Sequence, residues 1–171
     1  MFPPKRARED PPPLHGAIIC GRRTPRYVLA WRCDYGKLDT LTSKVAGKPV
    51  MRDLNTFIAL RWMQIRPEGS NPRMPMGLEV FLGRDGFYYL AAMHNTESRP
   101  DYKERARDPE DKLVEAARKT FLIDDDIEGT LKWYRLPFCH RQRGDPKPDA
   151  DDDPETVWLA REAREALEEK L

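Results

Sequence analysis

Apolar and polar positions change rhythm several times along this chain, and the changes divide it into elements. Ala17-Ile18-Ile19-Cys20 is a short apolar run, and Tyr27-Val28-Leu29-Ala30-Trp31 is rich in strand formers. In the second run Tyr27, Leu29, Trp31 and Cys33 share one face and Arg26 and Arg32 the other, which is the period of a strand. With Gly21 to Pro25 read as the turn, the two runs predict a hairpin. Asp34 to Pro49 is polar and predicts at most an irregular turn of helix around Leu38 to Val45.

Leu54 to Ile65 carries two rhythms at once. Leu54, Ile58, Trp62 and Ile65 recur at helical spacing, while Phe57, Ala59, Met63 and Ile65 nearly alternate. The strand preference of Thr56, Phe57, Ile58 and Trp62 tips the reading to a strand. The clearest local signal follows. Leu78-Glu79-Val80-Phe81-Leu82 and Phe87-Tyr88-Tyr89-Leu90-Ala91-Ala92-Met93 flank Gly83-Arg84-Asp85-Gly86, in which Asp85-Gly86 supplies the positive φ of a tight hairpin.

Residues 95–108 are charged and mixed. A helix is expected from Asp108-Pro109-Glu110, with Asp108 as its cap and Leu113, Ala117 and Phe121 as its stripe beside Val114. Asp124-Asp125-Asp126 ends it, and Leu131 to Leu136 reads as a last strand. Asp153-Pro154-Glu155 repeats the helix-start pattern, and the helix to Leu171 has a thin apolar face of Val157, Ala160, Leu167 and Leu171 with Trp158 to one side.

These elements predict an α+β fold: an antiparallel sheet of about five strands, one packed helix and a loosely attached C-terminal helix. Residues 1–14 read as a disordered basic, proline-rich arm, 15–140 as a globular α+β domain, 141–153 as an acidic, proline-rich linker and 154–171 as the C-terminal helix.

Composition narrows the setting. No run approaches the roughly 20 apolar residues of a membrane span, and no apolar segment of a secretory leader opens the chain. Three cysteines at irregular spacing fit a reducing compartment better than a disulfide framework. The expected location is nuclear or cytoplasmic, with no membrane association.

Charge changes the picture more. Residues 1–75 hold 14 Lys+Arg against 6 Asp+Glu, whereas residues 76–171 hold 16 against 23, net +8 and −7. Lys5, Arg6 and Arg8 on a proline-flanked segment form a candidate nuclear-import motif, with an importin as the implied partner. Arg22, Arg23 and Arg26 cluster near one turn, Arg141 and Arg143 near another, and Trp158 is a candidate anchor. These are the expected partner-binding residues, directed at an acidic protein or a nucleic acid. Complementary halves would also permit head-to-tail self-association.

Candidate chemistry is sparse. Cys20, Cys33, Cys139 and His140 lack the paired spacing of a zinc site, and no metal or other cofactor is expected. There is no phosphate-cradling glycine loop and no serine elbow. The string Arg164-Glu165-Ala166-Leu167-Glu168-Glu169 lacks the upstream Gly and Glu of a Nudix box and reads as an ordinary charged helix. His94, His140, Glu79 and Asp85 are the candidate catalytic residues if the fold brings them together as a hydrolase or nuclease site. The preferred expectation is a non-enzymatic nuclear or nucleocytoplasmic interaction protein that binds an acidic partner. The small hydrolase or nuclease is the alternative.

Overall fold

A computed structural model describes residues 2–3, 5–47, 54–73, 75, 77–83, 85–96 and 101–135. The elements in chain order are β1 (Lys5–Arg6), β2 (Ile18–Ile19), β3 (Arg22–Arg23), β4 (Tyr27–Cys33), α1 (Tyr35–Ala46), α2 (Leu54–Ile65), β5 (Glu79–Leu82), β6 (Tyr88–His94), α3 (Tyr102–Arg107), α4 (Lys112–Thr120), α5 (Asp125–Glu128) and β7 (Lys132–Arg135). Five strands form one antiparallel sheet in the order β1-β7-β4-β6-β5, and β2 and β3 form a separate two-stranded ribbon. The α+β class and the five-stranded sheet are as the sequence predicts.

β4 is the central strand because its side chains are apolar on both faces, and all but Arg32 are buried. Tyr27, Leu29, Trp31 and Cys33 join Leu90 and Trp133 on the helix-covered face. There they meet Leu38 and Leu41 of α1, Ile58 and Trp62 of α2, Tyr102 and Ala106 of α3, and Val114 and Ala117 of α4. Val28, Ala30, Phe81, Tyr89, Ala91 and Tyr134 form a second cluster on the opposite face. The rings of Tyr89 and Tyr134 meet edge-on at 5.0 Å. They reach each other from β6 and β7 across β4, where Ala30 leaves room for them.

The structure corrects several expectations. Ile18-Ile19 pairs with Arg22-Arg23, not with β4. Cys20 and Gly21 both take positive φ, 50° and 76°, so the turn closes two residues after Ile19. Leu54–Ile65 is a helix, because Ile58 and Trp62, four apart, are buried against the core while Leu60 and Met63 stay exposed. α1 is a full helix held at both ends: Asp34 accepts from the Lys37 amide at 2.8 Å, and left-handed Gly47 donates to Ser43 O at 2.9 Å. α4 starts one turn later than predicted. Asp111, not Asp108, caps it, accepting from the amides of Leu113 and Val114. α3, α5 and the packing of several helices on the sheet were not expected.

In the first 14 residues the described part is not a disordered arm. Lys5 and Arg6 pair with Tyr134 and Trp133, adding β1 to the sheet edge. The Tyr102 hydroxyl donates to Pro12 O at 2.6 Å, the Trp133 indole donates to Arg8 O at 3.1 Å, and Pro11 and Pro12 are buried. The β5–β6 hairpin forms as predicted, with one difference in its turn. Among the described turn residues Gly86 alone has positive φ (79°), and Asp85 acts through its carboxylate, which accepts from the Phe87 amide at 3.1 Å. The predicted linker 141–153 and helix 154–171 lie outside the described residues.

Candidate functional site

Two groups of polar side chains sit on the sheet face that carries the Tyr89–Tyr134 pair. In the first, Arg26 donates from Nε at 3.3 Å to His94 Nδ1, and its Nη2 lies 2.8 Å from the same atom. Glu79 Oε2 lies 3.3 Å from His94 Nε2 and 3.7 Å from Arg26 Nη2. A guanidinium only donates, so Nδ1 must carry the lone pair and the ring proton faces Glu79. Phe81 closes one side, with its ring 5.8 Å from the imidazole and 6.0 Å from the guanidinium carbon.

In the second group Asp85 Oδ2 accepts from the Tyr89 hydroxyl at 2.6 Å and from Arg32 Nη2 at 3.1 Å, and its Oδ1 accepts from the Phe87 amide. The Arg32 guanidinium lies over the Phe87 ring at 3.8 Å. Burial, with the carboxylate that accepts its proton, holds the Tyr89 hydroxyl well above the ordinary phenol range.

The structure thus gathers three of the four candidate catalytic residues on one face, but it also engages them. His94 is 4 % exposed and both its nitrogens face protein groups. Asp85 uses both oxygens internally. His140 lies outside the described residues.

The basic residues are distributed differently from their order in sequence. Arg26–Glu79, Arg32–Asp85 and Lys37 with Asp124 and Asp126 are ion pairs that join the basic first half to the acidic second half. Arg6 pairs with Asp10, and Arg8 donates to the carbonyls of Ala106 and Asp108. An importin groove takes an extended peptide with free basic side chains, whereas Lys5 and Arg6 here form a strand and Arg6 and Arg8 are engaged. Among the described residues these pairs interleave part of the basic half with the acidic half.

Arg22 and Arg23 differ. They are exposed, and their side chains form no ion pair or hydrogen bond among the described residues. Opposite them on the ribbon stand Ile19 and Ile18, 43 % and 69 % exposed. Directly paired residues share a face, so each face of the ribbon presents one isoleucine beside one guanidinium. Below, Thr24 and Ala17 continue the pairing, with Thr24 donating from N and Oγ1 to Ala17 O. Asn95, fully buried, fixes the base by donating from Nδ2 to Pro13 O at 2.9 Å and Pro25 O at 3.1 Å. Sequence reading found Arg22 and Arg23 but missed Ile18, Ile19 and Asn95 as parts of the same device. The Cys20-Gly21 pair between Ile-Ile and Arg-Arg was the available signal.

Cys33 is buried at the end of β4, its thiol pushed up to about 12 by burial and by Asp34, while Cys20 is exposed at the ribbon turn. Among the described residues no group of His, Cys, Asp and Glu could hold a metal ion. None of their helices is long and apolar enough to cross a membrane. Arg141, Arg143 and Trp158 lie outside the described residues. No family model, curated protein or solved structure matches this chain.

Proposed function

We propose that this chain is a non-enzymatic interaction protein that engages an acidic protein surface through the β2–β3 ribbon. The observation that carries the reading is the contrast between Arg22-Arg23 and three other arginines of the basic half, Arg6, Arg26 and Arg32. Arg6, Arg26 and Arg32 are paired with carboxylates of the fold, whereas Arg22 and Arg23 stand in solvent beside two exposed isoleucines. Among the described residues the ribbon pairs with no further strand, and a free ribbon edge can take one. Exposed isoleucines favour a partner with apolar positions between its acids. A phosphate backbone would use the arginines and leave Ile18 and Ile19 wet.

The test is a comparison of probes with the full chain at low and physiological salt. An extended peptide alternating Glu and Val should bind with an affinity that falls as salt rises. A mixed-sequence DNA duplex should bind at least about tenfold more weakly at physiological salt, since it lacks apolar anchors. Equal or tighter binding of the duplex would move the function to nucleic acid. Affinity for the peptide that is flat with salt would remove the electrostatic part.

A further inference from the structure

The backbone of the β2–β3 ribbon distinguishes its two edges. Thr24 donates from N to Ala17 O at 2.8 Å, so these residues form a hydrogen-bonded pair. Along an antiparallel ladder such pairs alternate with pairs whose N–H and C=O groups point away from one another. Ile18 and Arg23, the next pair toward the turn, are of that second kind. The Arg23 N–H and C=O therefore project from the outer edge of β3, and those of Ile18 from the outer edge of β2. Among the described residues these four groups have no hydrogen-bond partner. Two positions beyond Arg23, Pro25 has no N–H and its carbonyl accepts from Asn95, so the β3 edge offers the single residue Arg23.

Side-chain direction selects between the edges. Arg22 and Arg23 are consecutive on a strand, so their guanidinium groups leave on opposite faces. A flat acidic surface laid against the ribbon meets one of them. A chain running along the β3 edge passes both, because its own side chains also alternate between the two faces. A chain along the β2 edge would meet Ile18 and Ile19 and neither arginine.

We infer, on the reading that the ribbon engages an acidic partner, that this partner adds to β3 as an antiparallel strand with two consecutive carboxylate residues. The first lies opposite Arg23 and exchanges both backbone hydrogen bonds with it. The second lies opposite Arg22, with its own N–H and C=O turned away from the ribbon. Directly opposed residues share a face at ion-pairing distance, so each carboxylate meets one arginine. With a single backbone pair on offer, the order of the two acids carries the recognition.

The test gives the full chain two short peptides of identical composition. Both hold two Glu among Val and Thr, adjacent in one isomer and two positions apart in the other. The adjacent isomer should bind at least about fivefold more tightly. N-methylation of its first Glu removes the donor to Arg23 O and should weaken binding at least about tenfold, while N-methylation of the second should cost less than about twofold. Arg23→Glu should be rescued by Lys in place of the first Glu and not of the second. Equal affinity of the two isomers, N-methyl effects that are equal or reversed, or rescue at the second position would overturn this register. In those cases salt-dependent binding that is lost in Arg22→Glu/Arg23→Glu leaves the acidic-partner reading standing. Failure of both isomers to bind would overturn the two together.

Discussion

Tyr27 and Asn95 hold one another through two hydrogen bonds: the Tyr27 amide donates to Asn95 Oδ1 at 2.7 Å, and the Asn95 amide donates to Tyr27 O at 3.2 Å. The Asn95 carbonyl also accepts from the His15 amide at 2.7 Å, and its side-chain amide reaches Pro13 and Pro25. One buried side chain therefore ties the first residue of β4 to both legs of the projecting ribbon. Asn95→Ala strands the Tyr27 amide and two carbonyls, and a loss of about 3 kcal/mol is expected. Urea unfolding measures it. A loss below about 1 kcal/mol would mean that water replaces the carboxamide without strain.

Cys20 occupies the left-handed region at the ribbon turn, where a Cβ is disfavoured. Cys20→Gly should stabilise the ribbon by about 1 kcal/mol. Slower hydrogen exchange at the Thr24 amide, which donates to Ala17 O at 2.8 Å, would report it. Unchanged or faster exchange would show that the turn is not under this strain.

The two described cysteines should part company with pH. The folded Cys33 thiol ionises near 12, against 9.0 for an ordinary thiol, because burial and Asp34 oppose its charge more than Lys37 favours it. Below pH 9 both folded and unfolded forms keep the proton, and this group leaves stability unchanged. Between 9 and 12 the unfolded form releases it, so stability falls as pH rises. Urea midpoints from pH 8 to 11 should decline less steeply in Cys33→Ala than in the parent chain. Iodoacetamide at pH 8 should label Cys20 and spare Cys33.

Gly83 marks the tightest point of the β5–β6 turn. A Cβ there would collide with Asp85 Oδ1 and lie 2.6 Å from Tyr89 Cε2. Gly83→Ala must displace the carboxylate that holds Arg32 and Tyr89, at a cost of about 2 kcal/mol. Thermal unfolding checks this, and a melting temperature equal to the parent's would contradict it.

Local chemistry made part of this fold legible. The β5–β6 hairpin was readable because two strand-forming runs flank a glycine-bounded turn, and Tyr27–Cys33 was readable from its alternation. α2 was not, because Ile58 and Trp62 fit a helix while Phe57 and Ala59 fit a strand, and packing decides between them. The caps of α1, Asp34 and Gly47, were present in the sequence but surrounded by residues with little amphipathic pattern. Asn95 was not recoverable, since the carbonyls it serves lie 82 and 70 positions away. Charge misled for the same reason: Arg32 and Lys37 are basic-half residues whose partners, Asp85, Asp124 and Asp126, come from the acidic half.

The most direct measurement of the central claim is the affinity of the alternating Glu–Val peptide for the parent chain and for the Arg22→Glu/Arg23→Glu double variant, at equal salt and with far-UV spectra to establish folding. The two arginine side chains are exposed and form no ion pair or hydrogen bond among the described residues, so the variant should fold as the parent does. The account predicts a loss of at least about tenfold and a flattened salt dependence. Equal affinity of the two proteins would contradict it.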